Sequence, residues 1–69
     1  MARIALDGIE VVVSEDLEVV LSRLVASKDG IRLGNGSIKA PPGWMVLTEA
    51  VSGEEIYVHT QRLGYVRED

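Results

Sequence analysis

The sequence predicts an α+β fold in which one helix packs on one face of a mainly antiparallel sheet. Two observations predict it: an Asp-Gly pair separates two alternating apolar runs at the N-terminus, and apolar residues then recur at helical spacing. The remaining chain alternates short apolar runs with breaks that contain glycine or proline, which is typical of a β-meander. We therefore expect a single domain over residues 1–69, with an N-terminal β-hairpin, one helix and a meander in the order ββαββββ.

The N-terminal hairpin is the best-specified element. A two-residue turn at Asp7-Gly8 suits a type I′ geometry and places Leu6 opposite Ile9. One face of the hairpin then carries only large aliphatic side chains: Ile4, Leu6, Ile9, Val11 and Val13. The other face carries Arg3, Ala5, Glu10 and Val12. A register slip of one residue would invert both faces, so the turn and the burial pattern specify the same pairing.

A helix is predicted directly after this hairpin. Ser14 is a suitable N-cap, and Glu15 and Asp16 follow in the first turn, where carboxylates favour the positive end of the helix dipole. The predicted apolar stripe consists of Leu17, Val20, Leu21, Leu24 and Val25. The residues expected to face water are Glu15, Glu18, Ser22 and Arg23. A late lysine followed by Gly30 predicts the end of the helix at about residues 27–30.

The rest of the chain predicts a meander of short strands. A second hairpin around Asn35-Gly36 would set Leu33 against Ile38 and Ile31 against Ala40. The Pro-Pro-Gly bend at 41–43 must break the chain, and strands are expected at 44–49 and 55–59. A tight turn at 60–62 leads to a short extended piece at 63–66, after which residues 67–69 are expected to fray. An open sheet is favoured over a closed barrel.

Size and composition indicate a small domain that benefits from a partner. A chain of 69 residues buries little apolar surface, it has no cysteine for a disulfide, and its single histidine argues against a structural zinc site. Apolar residues nevertheless make up 46% of the chain. We therefore expect apolar surface to remain for a second copy or a partner protein, and a homo-oligomer is favoured.

Charge and hydropathy disfavour nucleic-acid-binding and membrane proteins. The net charge is −4 and both halves of the chain are acidic, which disfavours binding to a phosphate backbone, since such binding draws on clustered lysine and arginine. No apolar run approaches membrane-spanning length and no signal peptide opens the sequence. We expect a cytoplasmic protein that does not contact membranes.

The sequence shows no recognisable set of catalytic residues. His59 is the only histidine and is the first candidate for acid–base chemistry. Ser52 and Thr60 are near it in sequence, but nothing identifies a nucleophile, a base and a third orienting group. No helix begins just after the Gly-Asn-Gly segment, so a phosphate loop is not predicted. We expect no enzymatic activity, no cofactor, no metal and no small-molecule substrate.

Candidate interaction residues are expected on the sheet face that the helix leaves open. A face exposed to water should carry polar residues, but Ala5, Val12 and Tyr57 interrupt that pattern. Trp44, the only tryptophan, is a candidate hot spot, although burial inside the monomer is the favoured interpretation. These observations predict a non-catalytic protein–protein interaction module or accessory subunit. Its candidate interaction residues are Trp44, Tyr57, His59, Val12, Arg62 and Tyr65.

The stretch 56–66, a strand, one turn and a further short strand, resembles the closing elements of small SH3-like and Sm-like barrels. In the bacterial Sm-like RNA chaperones a lysine and histidine pair lies near this place, whereas Val58 precedes His59 here. The resemblance implies an alternative function, a small barrel that binds nucleic acid through His59, Arg62 and Tyr57. A further alternative is an acidic inhibitor of a nucleic-acid-binding partner.

Overall fold

The structure, a computed structural model, describes residues 1–69 and contains one helix and seven strands. The elements in chain order are β1 (Ala2–Leu6), β2 (Ile9–Val13), α1 (Leu17–Ala26), β3 (Ile31–Arg32), β4 (Ile38–Ala40), β5 (Trp44–Thr48), β6 (Glu55–His59) and β7 (Leu63–Glu68). Short 3-10 turns follow α1 at Ser27–Asp29 and β6 at Thr60–Arg62. The α+β class and the sequence of hairpin, helix and meander are confirmed.

The strands are divided among three antiparallel ladders, ordered β2-β1-β7, β3-β4 and β5-β6. The first and third ladders meet at a single bridge between Val13 and Glu49. Two backbone hydrogen bonds flank it, from Ser14 N–H to the Thr48 carbonyl (2.9 Å) and from Ala50 N–H to the Val12 carbonyl (3.0 Å). Neighbouring strands therefore follow the order β7-β1-β2-β5-β6, with β6 and β7 at the two ends. These two strands are not paired with each other, so hydrogen bonding does not close the arrangement into a barrel.

The first hairpin has the predicted geometry. Asp7 and Gly8 both have positive φ, at 51° and 85°, as a type I′ turn requires, and Leu6 pairs with Ile9. The seven-residue core lies between this hairpin, the helix and the β5-β6 ladder, and consists of Ala2, Ile4, Val13, Val20, Met45, Leu47 and Val58. Both ladders thus contribute to one core.

The helix buries a narrower stripe than the sequence predicts. Val20 is fully buried, and Leu24 packs against the core, whereas Leu21 and Val25 are exposed, Val25 by 68%. The predicted burial of these two residues is wrong. The helix has only ten residues, and the face it packs against the ladders is formed by residues 17, 20 and 24, whereas Leu21 and Val25 lie beside that face. The structure contains no helix with the length and apolar character to cross a membrane.

The start of the helix also differs from the prediction. The helix begins at Leu17, with Asp16 as N-cap residue, so Ser14 is not the cap. Ser14 instead directs its N–H to the Thr48 carbonyl. The side chain of Asp16 makes no capping hydrogen bond. The Leu17 N–H, which a helix start leaves without an internal partner, donates to the Glu68 carboxylate at 2.9 Å. A residue from the far end of the chain therefore replaces the local cap.

Glu15 does not face water as predicted. Its side chain is only 9% exposed, and its carboxylate accepts the Thr48 N–H at 3.0 and 3.1 Å and an Arg23 guanidinium N–H at 2.8 Å. Burial opposes ionisation of this carboxyl, but the hydrogen bonds from Thr48 and from the backbone of Glu15, together with the charge of Arg23, outweigh it, and the pKa of Glu15 lies below its ordinary value. Arg23 also donates to the Val46 carbonyl at 2.9 Å. Glu15 and Arg23 thus join the helix to β5.

Two further details of the meander are corrected. Ile31 pairs with Ala40 as predicted, but a register shift pairs Ile38 with Arg32 rather than with Leu33. The shift arises because only Gly36 has a positive φ in this turn, whereas the predicted two-residue turn needs two such residues. The expected fraying of residues 67–69 is also wrong, since β7 continues to Glu68 and pairs with β1.

We predict that Glu15→Ala lowers the free energy of unfolding by about 1–3 kcal/mol, because it leaves the partly buried Thr48 N–H without its acceptor. The matched control Glu18→Ala, an exposed carboxylate in the same helix, changes it by less than about 0.5 kcal/mol. Since the pKa of Glu15 is depressed on folding, its contribution is complete above its ordinary value of 4.5 and is lost as pH falls through the folded value. Urea unfolding of both variants between pH 7 and pH 3 checks this. A difference from wild type that grows as pH falls would contradict it.

Gly30 provides a second test of the fold. Its φ of 74° and ψ of −180° lie in a region that essentially only glycine occupies, and an added Cβ would lie 2.8 Å from the Ala40 carbonyl oxygen. We expect Gly30→Ala to cost about 1–3 kcal/mol of stability from the backbone conformation alone. At Gly34 an added Cβ would have no atom within 4 Å, so Gly34→Ala should be neutral or stabilising. Thermal unfolding of both variants measures the contrast, and equal losses would refute it.

Candidate functional site

The main concave surface is an open groove between β6 and the first hairpin, with a volume of about 790 Å³. We call it the β6 groove. The side of the hairpin is formed by Leu6, Asp7, Ile9 and Val11, and the other side by Trp44, Tyr57, Val58, His59, Gln61 and Arg62. Six of these ten residues are hydrophobic. The groove therefore combines an apolar lining with a few polar groups, as binding sites commonly do.

The groove follows the edge of β6 rather than one of its faces. Tyr57, Val58 and His59 are consecutive, and successive side chains of a strand point to opposite faces. All three can line one groove only if it runs along the strand's edge. The opposite edge of β6 is paired with β5, so the groove lies on the unpaired side.

The backbone of β6 presents free hydrogen-bonding groups on this side. Two hydrogen bonds lie at the two ends of the β5-β6 ladder and continue its register: Thr60 N–H donates to the Gly43 carbonyl, and Glu49 N–H donates to the Glu54 carbonyl. Antiparallel ladders alternate between bonded and non-bonded pairs, so residues 56 and 58 bond to β5. The N–H groups of residues 55, 57 and 59 and the carbonyls of residues 55 and 57 therefore point away from β5. The structure pairs β6 with no other strand.

Four of the six interaction residues proposed from the sequence meet in the groove: Trp44, Tyr57, His59 and Arg62. The other two, Val12 and Tyr65, do not line it. They lie on the outer face of the β2-β1-β7 ladder, where Val12 pairs with Arg3 and Tyr65 with Ala5. The single uncovered face expected from the sequence is thus divided between two ladders.

Trp44 occupies the groove wall and does not join the core. It is half-buried, and its ring meets the edge of the His59 ring with centroids 4.7 Å apart and planes at 88°. The preceding bend holds this position, because Gly43 has a φ of 89° and its carbonyl accepts both the N–H (2.9 Å) and the hydroxyl (3.0 Å) of Thr60. The start of β5 and the end of β6 are therefore fixed to each other. Trp44 is expected from the sequence to fill the core of the monomer, but it instead forms an aromatic pair with His59 beside the groove.

His59 lines the groove and has one polar atom that is buried without a partner. Its Nδ1 is buried and has no hydrogen-bond partner in the structure. An unsatisfied buried acceptor or donor costs free energy, so this atom lowers the stability of the folded protein relative to one in which it is hydrogen-bonded. The structure contains no group of three or more His, Asp or Glu side chains that could hold a metal ion.

The end of the groove is crossed by an ion pair. Arg62 donates to the Asp7 carboxylate at 2.8 Å, joining the 3-10 turn after β6 to the turn of the first hairpin. Both side chains are largely exposed, so the pair adds little stability. Its main effect is local charge: Arg62 is the only lysine or arginine of the lining, and its charge is compensated by Asp7.

Sequence reasoning missed Ile9 as a groove residue. The alternation of the hairpin predicts that Ile9 lies on the core-facing side. The observed pairing with Leu6 places Ile9 on that side, but the side chain of Ile9 is 66% exposed. Ile9 lies next to the turn, where the hairpin extends past the β5-β6 ladder and no residue covers it. The available signal was position: an apolar residue beside a tight turn is at the tip of its hairpin.

The outer face of the β2-β1-β7 ladder is a polar surface around Tyr65. The Tyr65 hydroxyl donates to the Glu10 carboxylate, which raises the pKa of the phenol and lowers the pKa of Glu10. Arg3 and Arg67 each approach Glu10 at 3.6 Å. Among the strand residues of this face, Tyr65 is the one large hydrophobic side chain that is exposed, by 47%, whereas the groove exposes both Ile9 and Tyr57.

Comparison of the chain with family models, with curated proteins and with solved structures found no match.

We predict that His59→Phe leaves the protein as stable as wild type or more stable, because phenylalanine keeps an aromatic ring against Trp44 and removes the unpaired Nδ1. His59→Ala should lose about 0.5–1.5 kcal/mol, the usual value of an edge-to-face aromatic pair, in addition to lost burial. Urea unfolding followed by Trp44 fluorescence compares the two variants. If phenylalanine destabilises as much as alanine, the ring contact is not what His59 contributes.

Proposed function

We propose that the protein is a non-catalytic interaction module that binds a partner protein through the β6 groove. The observation that carries this proposal is the exposed apolar surface on both sides of the groove. Ile9 is 66% exposed on the hairpin side and Tyr57 is 48% exposed on the β6 side. Contiguous apolar surface with polar groups at its rim is typical of protein-binding sites.

The composition of the groove also favours a protein ligand. Tryptophan, tyrosine and arginine are the residues most enriched among interface hot spots, and Trp44, Tyr57 and Arg62 lie together here. Their backbones are held by the β5-β6 ladder and by the 3-10 turn, so little order has to be gained on binding.

A second apolar surface is found on the helix, around Leu21 and Val25, with Glu18 and Ser22 beside it. It is shallower, carries no aromatic residue and offers no free backbone groups, since the helix satisfies its own. We therefore assign binding to the groove. A homo-oligomeric state and a cytoplasmic location stay predictions from the sequence.

Nucleic-acid binding is the second candidate, because the groove does bring Tyr57, His59 and Arg62 together with Trp44, as a stacking platform would require. Charge argues against it. The net charge is −4, and the one cation of the lining already contacts Asp7. A phosphate backbone would find no free cluster of lysine and arginine to displace its counterions.

The test is a selection of phage-displayed random linear peptides on the purified protein. We expect enriched peptides that bind wild type and lose binding to Ile9→Glu, which places a charge in the groove lining. Val25→Glu is the matched control, since Val25 is equally exposed but lies on the helix. Circular dichroism should show both variants folded, because neither side chain belongs to the core.

Two results would contradict the proposal. The first is a selection that enriches no peptide, or one whose enriched peptides lose binding to Val25→Glu but still bind Ile9→Glu. The other is salt-sensitive binding of labelled single-stranded RNA or DNA that Arg62→Ala abolishes, which would support the nucleic-acid alternative. We expect no such binding.

A further inference from the structure

We infer that the β6 groove binds an extended segment of a partner protein that adds to β6 as a new strand and carries basic residues beside apolar ones. This inference rests on the proposed function and specifies how the groove recognises its partner. It is drawn from the backbone of β6 and from the charges at the start of that strand.

The backbone of β6 provides the first argument. The N–H groups of Glu55, Tyr57 and His59 point away from β5, as do the carbonyls of Glu55 and Tyr57. Folded proteins usually pair, shorten or cover such an edge, because it is a template for another strand. Here an open groove runs along it instead. An extended backbone is the ligand that pairs with donors and acceptors at every second residue.

The side chains along the edge define which residues the added strand should carry. Its side chains would alternate between the two sides of the extended ladder. On the inner side they would meet Leu6, Ile9 and Val11, so apolar residues fit there. On the outer side they would lie beside Tyr57 and the Trp44–His59 pair, where an aliphatic stem with a cationic end fits against aromatic rings.

Charge at the start of β6 provides the second argument. Three carboxylates, Glu49, Glu54 and Glu55, lie at this end of the strand, and the one ion pair they make is that of Glu55 with Lys39 at 3.2 Å. Glu54 is exposed and makes no ion pair in the structure. These carboxylates lie along the strand beyond Tyr57, next to the groove and outside its lining, whereas within the lining Asp7 and Arg62 neutralise each other. The excess of negative charge is complementary to lysine or arginine on the added strand.

The experiment uses a synthetic heptapeptide of alternating lysine and valine with blocked ends, and follows Trp44 fluorescence and the backbone amide signals of β6. We expect saturable binding at micromolar to millimolar peptide. Replacing every lysine of the peptide by glutamate should weaken binding about tenfold or more, and added salt should weaken the lysine peptide. On the protein, Glu54→Lys should weaken binding, whereas Glu18→Lys, with the same change of net charge on the helix, should not.

Strand addition is tested separately by two N-methylated forms of the peptide. One carries N-methyl groups on the lysines and the other on the valines. An added strand bonds to β6 along one edge only, so one form should lose binding and the other should retain it. Equal binding of the two N-methylated forms would overturn strand addition. Equal binding of the lysine and glutamate peptides would overturn the charge argument. If no peptide of this series binds at millimolar concentration, the inference is wrong, while the phage selection decides on the proposed function independently.

Discussion

The structure depends on the buried carboxylate of Glu15, which joins three elements. Glu15 comes shortly after β2 in the chain. Its carboxylate accepts the Thr48 N–H at the end of β5 and pairs with Arg23 of the helix. The two main ladders are also joined by the bridge between Val13 and Glu49, by the hydrogen bonds that flank it and by the shared core. A small domain without disulfides has few such connections. Loss of this one would weaken the junction of the helix, β2 and β5, leaving the Arg23 hydrogen bond to the Val46 carbonyl and the core to hold it.

The same connection explains why a groove exists. The ladders are joined at the C-terminal end of β2, and β2 begins at Ile9, so the hairpin tip has no ladder contact with β5. The gap that opens there exposes the unpaired edge of β6. The Asp7–Arg62 pair crosses the end of the gap without closing it. The exposed apolar surface therefore lies where the two ladders diverge, between the Val13–Glu49 bridge and the 3-10 turn Thr60–Arg62 that leads from β6 into β7.

Local patterns in the sequence predicted most of the fold, because turn chemistry and residue alternation act over a few neighbours. The Asp7-Gly8 turn and the register of the first hairpin are examples. The errors concern residues whose environment is set by distant parts of the chain. Glu15 is buried by β5, and the exposure of Ile9 depends on where two ladders diverge. Four of the six candidate site residues meet in the groove, but no local signal could show that the groove follows the edge of β6.

The most direct test of this account is amide hydrogen exchange along β6, measured by NMR on the isolated protein. The N–H groups of Ile56 and Val58 donate to β5, whereas the Tyr57 N–H points into the groove. We predict slow exchange at residues 56 and 58 and fast exchange at 57, an alternation within one strand. If the Tyr57 N–H is protected as strongly as that of Val58, the edge of β6 is already paired and the groove is not a free docking surface.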